Sequence, residues 1–157
     1  MNKFKLIGRV TLICRDKNGN IKWQIKGKNK ITNASLAAIS GLIGATGAQV
    51  AFTYLAVGSG SGAESASSTA LGTEITNHSL GRAAATVSRT TTSQTNDTLS
   101  LVYTWTASGG SSDTINEIGI FNDPTAGVML GRKLTGAKTV NSGESLQATY
   151  TVQVTGD

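Results

Sequence analysis

The sequence predicts a mainly β protein, a β-sandwich or jelly-roll-like domain with one short helix and an N-terminal β-hairpin arm. Three observations support this. Thr and Val are abundant while charged residues make up only 15% of the chain, well below the usual quarter. About eight short strand-like segments are separated by turn-rich stretches, and a single segment has apolar residues at helical spacing. At 157 residues one domain is expected, and we divide the chain into the arm (1–30) and the domain (31–157).

The arm is predicted to be a β-hairpin with one apolar and one basic face. Residues 3–14 form its first strand, and the pair Asn18-Gly19 favours the positive φ angles of a tight hairpin turn. In the returning strand, residues 21–26, apolar side chains alternate with basic or polar ones. Because an isolated hairpin is marginal in water, we expect it to pack on another surface.

A short helix is predicted directly after the arm. Asn33 is a suitable N-cap, and Gly44 or Gly47 can end the element. Large apolar residues recur at helical spacing, and we expect this stripe to be buried: Leu36, Ile39, Leu42 and Ile43.

The rest of the chain is predicted to be β structure around one long flexible loop of Gly, Ser and Ala, residues 58–69. In the last strand, apolar residues from Leu146 to Val154 share one face and polar residues the other. The predicted strands are 52–57, 80–92, 98–107, 115–121, 128–134 and 146–154.

Two acidic residues are the strongest candidates for acid–base chemistry. Glu74 and Glu117 could share such work as a carboxylate pair. Both lie in segments that look structural, so we expect them instead to accept backbone N–H bonds or to pair with an arginine such as Arg82 or Arg132. We therefore predict no catalytic residue and no enzymatic activity.

No cofactor or metal site is predicted. The Gly58–Ala63 segment matches G-x-G-x-x-A, but no helix follows it and its first charge, Glu64, is negative. His78 is the single histidine and is expected in a surface loop, and Cys14 is the single cysteine and is expected to be a buried strand residue. These two alone cannot complete a metal site of the usual kind.

Charge is concentrated in the arm. Residues 1–33 hold nine of the fourteen Lys and Arg and one acid, which leaves the remainder mildly acidic. A basic arm suits contact with an acidic protein surface, a solvated strand face, or nucleic acid; few aromatic residues accompany the charges, which disfavours nucleic acid. We predict protein contact through Lys3, Arg9, Lys22, Trp23, Lys26, Lys28 and Lys30.

The order of short segments resembles a family of small phage virion structural proteins, either head decoration proteins that sit as trimers on the capsid or tail and fibre components. The resemblance implies no cofactor and no catalysis. It covers most of residues 29–154 and rests on N-K-I-T-N (29–33), the helix to Ile43, Y-L-A-V-G (54–58), T-A-L-G-T-E-I (69–75), Arg82, E-I-G-I-F (117–121), M-L-G-R (129–132) and Y-T-V-Q-V (150–154).

The favoured function is a capsid decoration protein, a homotrimer that binds the major capsid protein and stabilises its lattice on the virion surface after assembly in the host cytoplasm. The alternative is a tail or tail-fibre component, or a host-surface adhesin that uses the 58–69 loop. A membrane partner is not expected, because no apolar stretch approaches the roughly 20 residues that span a bilayer and Arg9 interrupts any leader-like run.

Overall fold

The computed structural model describes residues 4–156, which form two antiparallel five-stranded sheets and one helix. The strand order is β2-β1-β10-β7-β6 in the first sheet and β3-β9-β8-β4-β5 in the second. The predicted β-sandwich is confirmed. The elements are β1 (Phe4–Arg15), β2 (Ile21–Lys28), β3 (Lys30–Ile31), α1 (Asn33–Gly44), β4 (Tyr54–Gly58), β5 (Ala83–Ala84), β6 (Thr86–Thr90), β7 (Thr98–Thr106), β8 (Ser112–Phe121), β9 (Met129–Asn141) and β10 (Ser145–Gly156).

The core lies between the two sheets and follows the period of two expected of strands. On β10 the predicted alternation is confirmed from Leu146 through Val152, which are buried on alternate positions, whereas Val154 at the end is 42% exposed. The first sheet also contributes Trp105, and the second contributes Ile118 from β8 to the same apolar cluster.

A hairpin turn is present at residues 16–20, as predicted, but the expected positive φ at both central residues was wrong. Gly19 has a φ of +86°, a value that glycine adopts without steric cost, whereas Asn18 has no positive φ. The Asp16 carboxylate accepts the backbone N–H groups of Asn18 and Asn20, both at 2.9 Å, and so fixes the turn from inside.

The hairpin is an integral part of the first sheet. β1 pairs with β10 along its whole length, from Phe4 opposite Gly156 to Arg15 opposite Ser145. The inward side chains Val10, Leu12 and Cys14 of β1 are buried in the shared core. The division into an arm (1–30) and a domain (31–157) stays a prediction, but the hairpin does not project from the sandwich.

The helix begins one residue earlier than the sequence indicated. Thr32, not Asn33, is the N-cap: it has an extended backbone, and its side-chain oxygen accepts the N–H of Ser35 at 3.3 Å. The same hydroxyl donates to the Met129 carbonyl at 2.5 Å, which ties the start of α1 to β9. The helix ends at Gly44, and Ala45 adopts the left-handed conformation of a C-cap.

The expected burial of the apolar helix stripe was wrong. The buried helix residues are Ser35 and Ala38, while Leu36 is 55% and Ile43 80% exposed. Ile39 is partly buried against the core. Small side chains let the helix approach the sheets closely, and Leu36, Leu42 and Ile43 are exposed.

The segment predicted as one strand over 80–92 is two short strands in different sheets. β5 pairs with β4 in the second sheet, and β6 pairs with β7 in the first. Between them the Ala85 N–H donates to the Thr53 carbonyl at 2.8 Å, so the chain crosses from one sheet to the other at this point. The two-residue strand β3 is a further element that the sequence pattern did not reveal.

Candidate protein-contact surface and buried ion pairs

Three of the predicted contact residues form a basic strip on the outer face of the first sheet. Arg9 lies directly opposite Lys28, and Lys26 lies opposite Thr11 two pairs further along β1 and β2. The three basic side chains line a shallow groove of about 290 Å³. None of the ion pairs within residues 4–156 involves them. Like charges placed opposite each other destabilise a sheet slightly, so an acidic partner would relieve a cost already present in this basic strip.

Lys22 and Trp23 are instead engaged within the chain. Lys22 Nζ lies 2.9 Å from the Glu144 carboxylate, and the Trp23 indole donates to the Thr139 carbonyl at 2.8 Å. Desolvation alone would raise the pKa of Glu144, but the backbone N–H of Asn141 and the Lys22 ammonium outweigh it and lower that pKa. The two side chains fasten the hairpin to the end of β9 and the turn that follows.

The other two predicted contact residues lie away from the basic strip or outside the described part of the chain. Lys30 is exposed on β3, opposite Arg132 in the second sheet. Lys3 lies outside the described residues. The contact role of all seven residues stays a prediction, and only Arg9, Lys26 and Lys28 are brought together.

Glu117 is the centre of a buried network and makes both kinds of contact that the sequence predicted for it, with backbone N–H groups and with an arginine. Its side chain is fully buried, and the Arg132 Nε donates to it at 2.6 Å. The carboxylate also accepts the backbone N–H groups of Gly60, Gly72 and Thr73 at 2.9–3.0 Å. A Cβ at Gly60 would lie 2.4 Å from Glu117 Oε1, so this approach requires glycine.

The second predicted acid, Glu74, pairs with Arg82 at 2.6 Å. Arg82 has further partners, because its Nη1 donates to the carbonyls of Asp123 and Ala126, and its guanidinium lies 3.7 Å above the ring of Phe121. The predicted pairing of both acids with arginines is confirmed. Both carboxylates hold loops against the second sheet.

The 58–69 loop, predicted to be flexible, is anchored on the second sheet. The Arg132 Nη1 donates to the Ala63 carbonyl at 3.1 Å. One carboxylate oxygen of Glu64 lies 2.8 Å from Lys133 Nζ and accepts the Leu134 N–H at 2.7 Å. Together with the bond from Gly60 to Glu117, these contacts fix both halves of the loop.

The single histidine and the single cysteine each have an acidic neighbour. His78 lies in a turn, with its Nδ1 2.9 Å from Asp113. Cys14 is fully buried as predicted; desolvation and the nearby Glu144 raise the pKa of its thiol to about 11. Within residues 4–156 no three metal-ligating side chains of His, Cys, Asp or Glu cluster together. In the same range, no helix has both the length and the apolar character needed to cross a membrane.

One family model matches residues 28–155, a range that includes the helix, the whole second sheet and strands β6, β7 and nearly all of β10 of the first sheet, but not β1 or most of β2. Its description is podophage GP4 fiber I protein gp80. The chain belongs to this family. It is therefore a phage virion structural protein, and the resemblance stated from the short segments is confirmed at that level. Searches of curated proteins and of solved structures gave no match.

Proposed function

We propose that this chain is a structural component of the phage fibre, held in the virion by protein–protein contacts and without catalytic activity. The observation that carries the proposal is the fibre-family match, which runs through both sheets rather than through one local motif. The two candidate catalytic acids are consistent with this role, because each is paired with an arginine at 2.6 Å.

The basic strip supplies the means of attachment to an acidic neighbour in the virion. Arg9, Lys26 and Lys28 are exposed and free of ion pairs within residues 4–156. Charges on such a surface act mainly by steering and orienting the partner, and salt screens them over roughly 10 Å at 0.1 M. Attachment through the basic strip is therefore expected to weaken as ionic strength rises.

Capsid decoration, with the major capsid protein as partner, is the competing hypothesis. The two roles place the chain at different sites and in different numbers, because a decoration protein covers the whole head lattice. Gold-labelled antibody against the chain, applied to intact virions and imaged by electron microscopy, distinguishes them. Label confined to fibres supports the proposal, and uniform label over the head contradicts it.

Charge reversal tests the basic strip. The double variant Arg9→Glu/Lys28→Glu retains a like-charged pair between β1 and β2, so the strand pairing carries the same repulsion as before. We expect about tenfold weaker attachment to virions lacking the chain, which corresponds to about 1.4 kcal/mol. The control Lys17→Glu/Lys138→Glu changes the net charge equally at other sites. Equal attachment of the two variants would show that the basic strip is not the docking element.

A further inference from the structure

The exposed large apolar side chains are concentrated on one face of the molecule. They line two adjoining clefts of about 480 and 340 Å³ beside α1, and Phe4, Leu6, Ile39 and Ile43 contribute to both. We call this the apolar face and define it by its six most exposed apolar residues: Phe4, Leu36, Leu42, Ile43, Val87 and Val154.

The apolar face is large for a protein surface without a partner. Ile43 is 80%, Phe4 62% and Leu36 55% exposed. With about 150–200 Å² for a large apolar side chain, the six residues expose roughly 600 Å². The largest apolar patch on a typical monomer is about 300–600 Å², and one partner in a stable complex buries about 800 Å². The apolar face thus supplies most of one side of a standard interface.

The apolar face also carries no charge. Residues 31–63 contain no Asp, Glu, Lys, Arg or His, and neither cleft is lined by a charged residue. Arg89, two positions beyond Val87 on β6, lines neither cleft. When identical surfaces meet about a symmetry axis, each charge near the axis faces its own copy, and like charges in contact are costly. A neutral apolar surface on a chain with a net charge of +5 avoids this repulsion.

We infer that a second copy of this chain packs on the apolar face. Val87 belongs to β6, which is the edge strand of the first sheet and is exposed at all five positions. A copy seated on the apolar face therefore also shields an open sheet edge, which would otherwise present unpaired backbone groups. This interface forms between free copies of the protein and does not depend on where the chain is located in the virion.

The test is the molar mass of the full chain by size exclusion with light scattering, over a range of concentrations. The variant Ile43→Lys places a charge on the apolar face, and a lysine in the last helical turn suits the helix dipole. Ile21→Lys is the matched control, because Ile21 is 53% exposed at the turn end of the hairpin. Val87→Lys tests the opposite wall of the same cleft.

We expect the unaltered chain and Ile21→Lys to form an oligomer with a mass that is a multiple of 16.1 kDa. Three copies would match the homotrimer predicted from the sequence. Both Ile43→Lys and Val87→Lys should dissociate at concentrations at least tenfold higher than the control. A monomeric unaltered chain, or variants that associate as tightly as Ile21→Lys, would overturn the inference.

The outcome is separable from that of the labelling experiment. An oligomer sensitive to Ile43→Lys, with label on the head, leaves this interface standing and removes the fibre role. A monomer with label on the fibres removes this interface and leaves the fibre role standing. If the monomeric chain also loses virion incorporation on Ile43→Lys, the apolar face binds a different virion protein and the second copy is excluded as its occupant.

Discussion

Replacement of Glu117 by Gln removes a buried charge while nearly preserving side-chain shape. The carboxylate accepts four hydrogen bonds, one from Arg132 Nε and three from backbone N–H groups. A Gln side chain has one acceptor oxygen, so its NH₂ group faces donors, and Arg132 is left buried beside a neutral group. Arg132 Nη2 is buried and has no hydrogen-bond acceptor among the described residues. Removal of one partner of a buried ion pair costs about 3–5 kcal/mol.

Urea unfolding followed by circular dichroism measures this loss, and limited proteolysis reports release of the 58–69 loop. A cost of 3–5 kcal/mol corresponds to a fall in Tm of about 10 °C for a chain of this size. Glu74→Gln is the control, because that pair has the same 2.6 Å separation but Glu74 is 23% exposed and Arg82 keeps two carbonyl acceptors. We expect a cost near 1 kcal/mol there. Equal losses for the two variants would refute the argument from burial.

Two further predictions concern pH and thiol chemistry. Partial desolvation favours the neutral form of Asp97 and would raise its pKa. Hydrogen bonds from the backbone N–H groups of Gln94, Thr92 and Ser93 to the carboxylate outweigh this effect and hold the pKa well below 3.8. Its stabilisation is therefore fully present above pH 3.8 and declines as pH falls towards the folded-state pKa, so Asp97→Asn should lower Tm more at pH 7 than at about pH 2; an equal effect at both pH values would contradict this. Because the Cys14 thiol is buried and its pKa is about 11, Ellman's reagent should label it only in urea; rapid labelling of the folded chain would contradict its burial.

Local sequence signals identified the sandwich and most of its strands. The Asn18-Gly19 turn and the alternation on β10 depend on neighbouring residues and were predictable. The helix was also predictable, but its packing face was not, because periodicity shows that apolar residues share a side and not which side meets the core. Ser35 and Ala38 face the core since only small side chains allow this close approach.

The same limit applies to the candidate site. Glu117 and Arg132 lie in the adjacent strands β8 and β9. Their pairing could be predicted because Glu117 is in a segment that looks structural and the chain has few arginines beyond the hairpin. Lys22 was predicted as a docking residue because apolar and basic or polar side chains alternate along its strand. Its partner Glu144 is distant in sequence and reaches it only through the sheet, so no local pattern could remove Lys22 from the predicted contact set.

The pairing of β1 with β10 imposes an order on the synthesis and folding of the chain. β1 and β2 can form their hairpin as soon as both have left the ribosome, but the inner face of that hairpin has no sheet to join until β10 is made. Pairings between strands so distant in sequence close slowly because a large loop must be ordered first. Leu12 and its inward neighbours on β1 therefore stay accessible to water and to other nascent chains during most of translation, which makes the first strand the segment most exposed to misassembly before the sandwich closes.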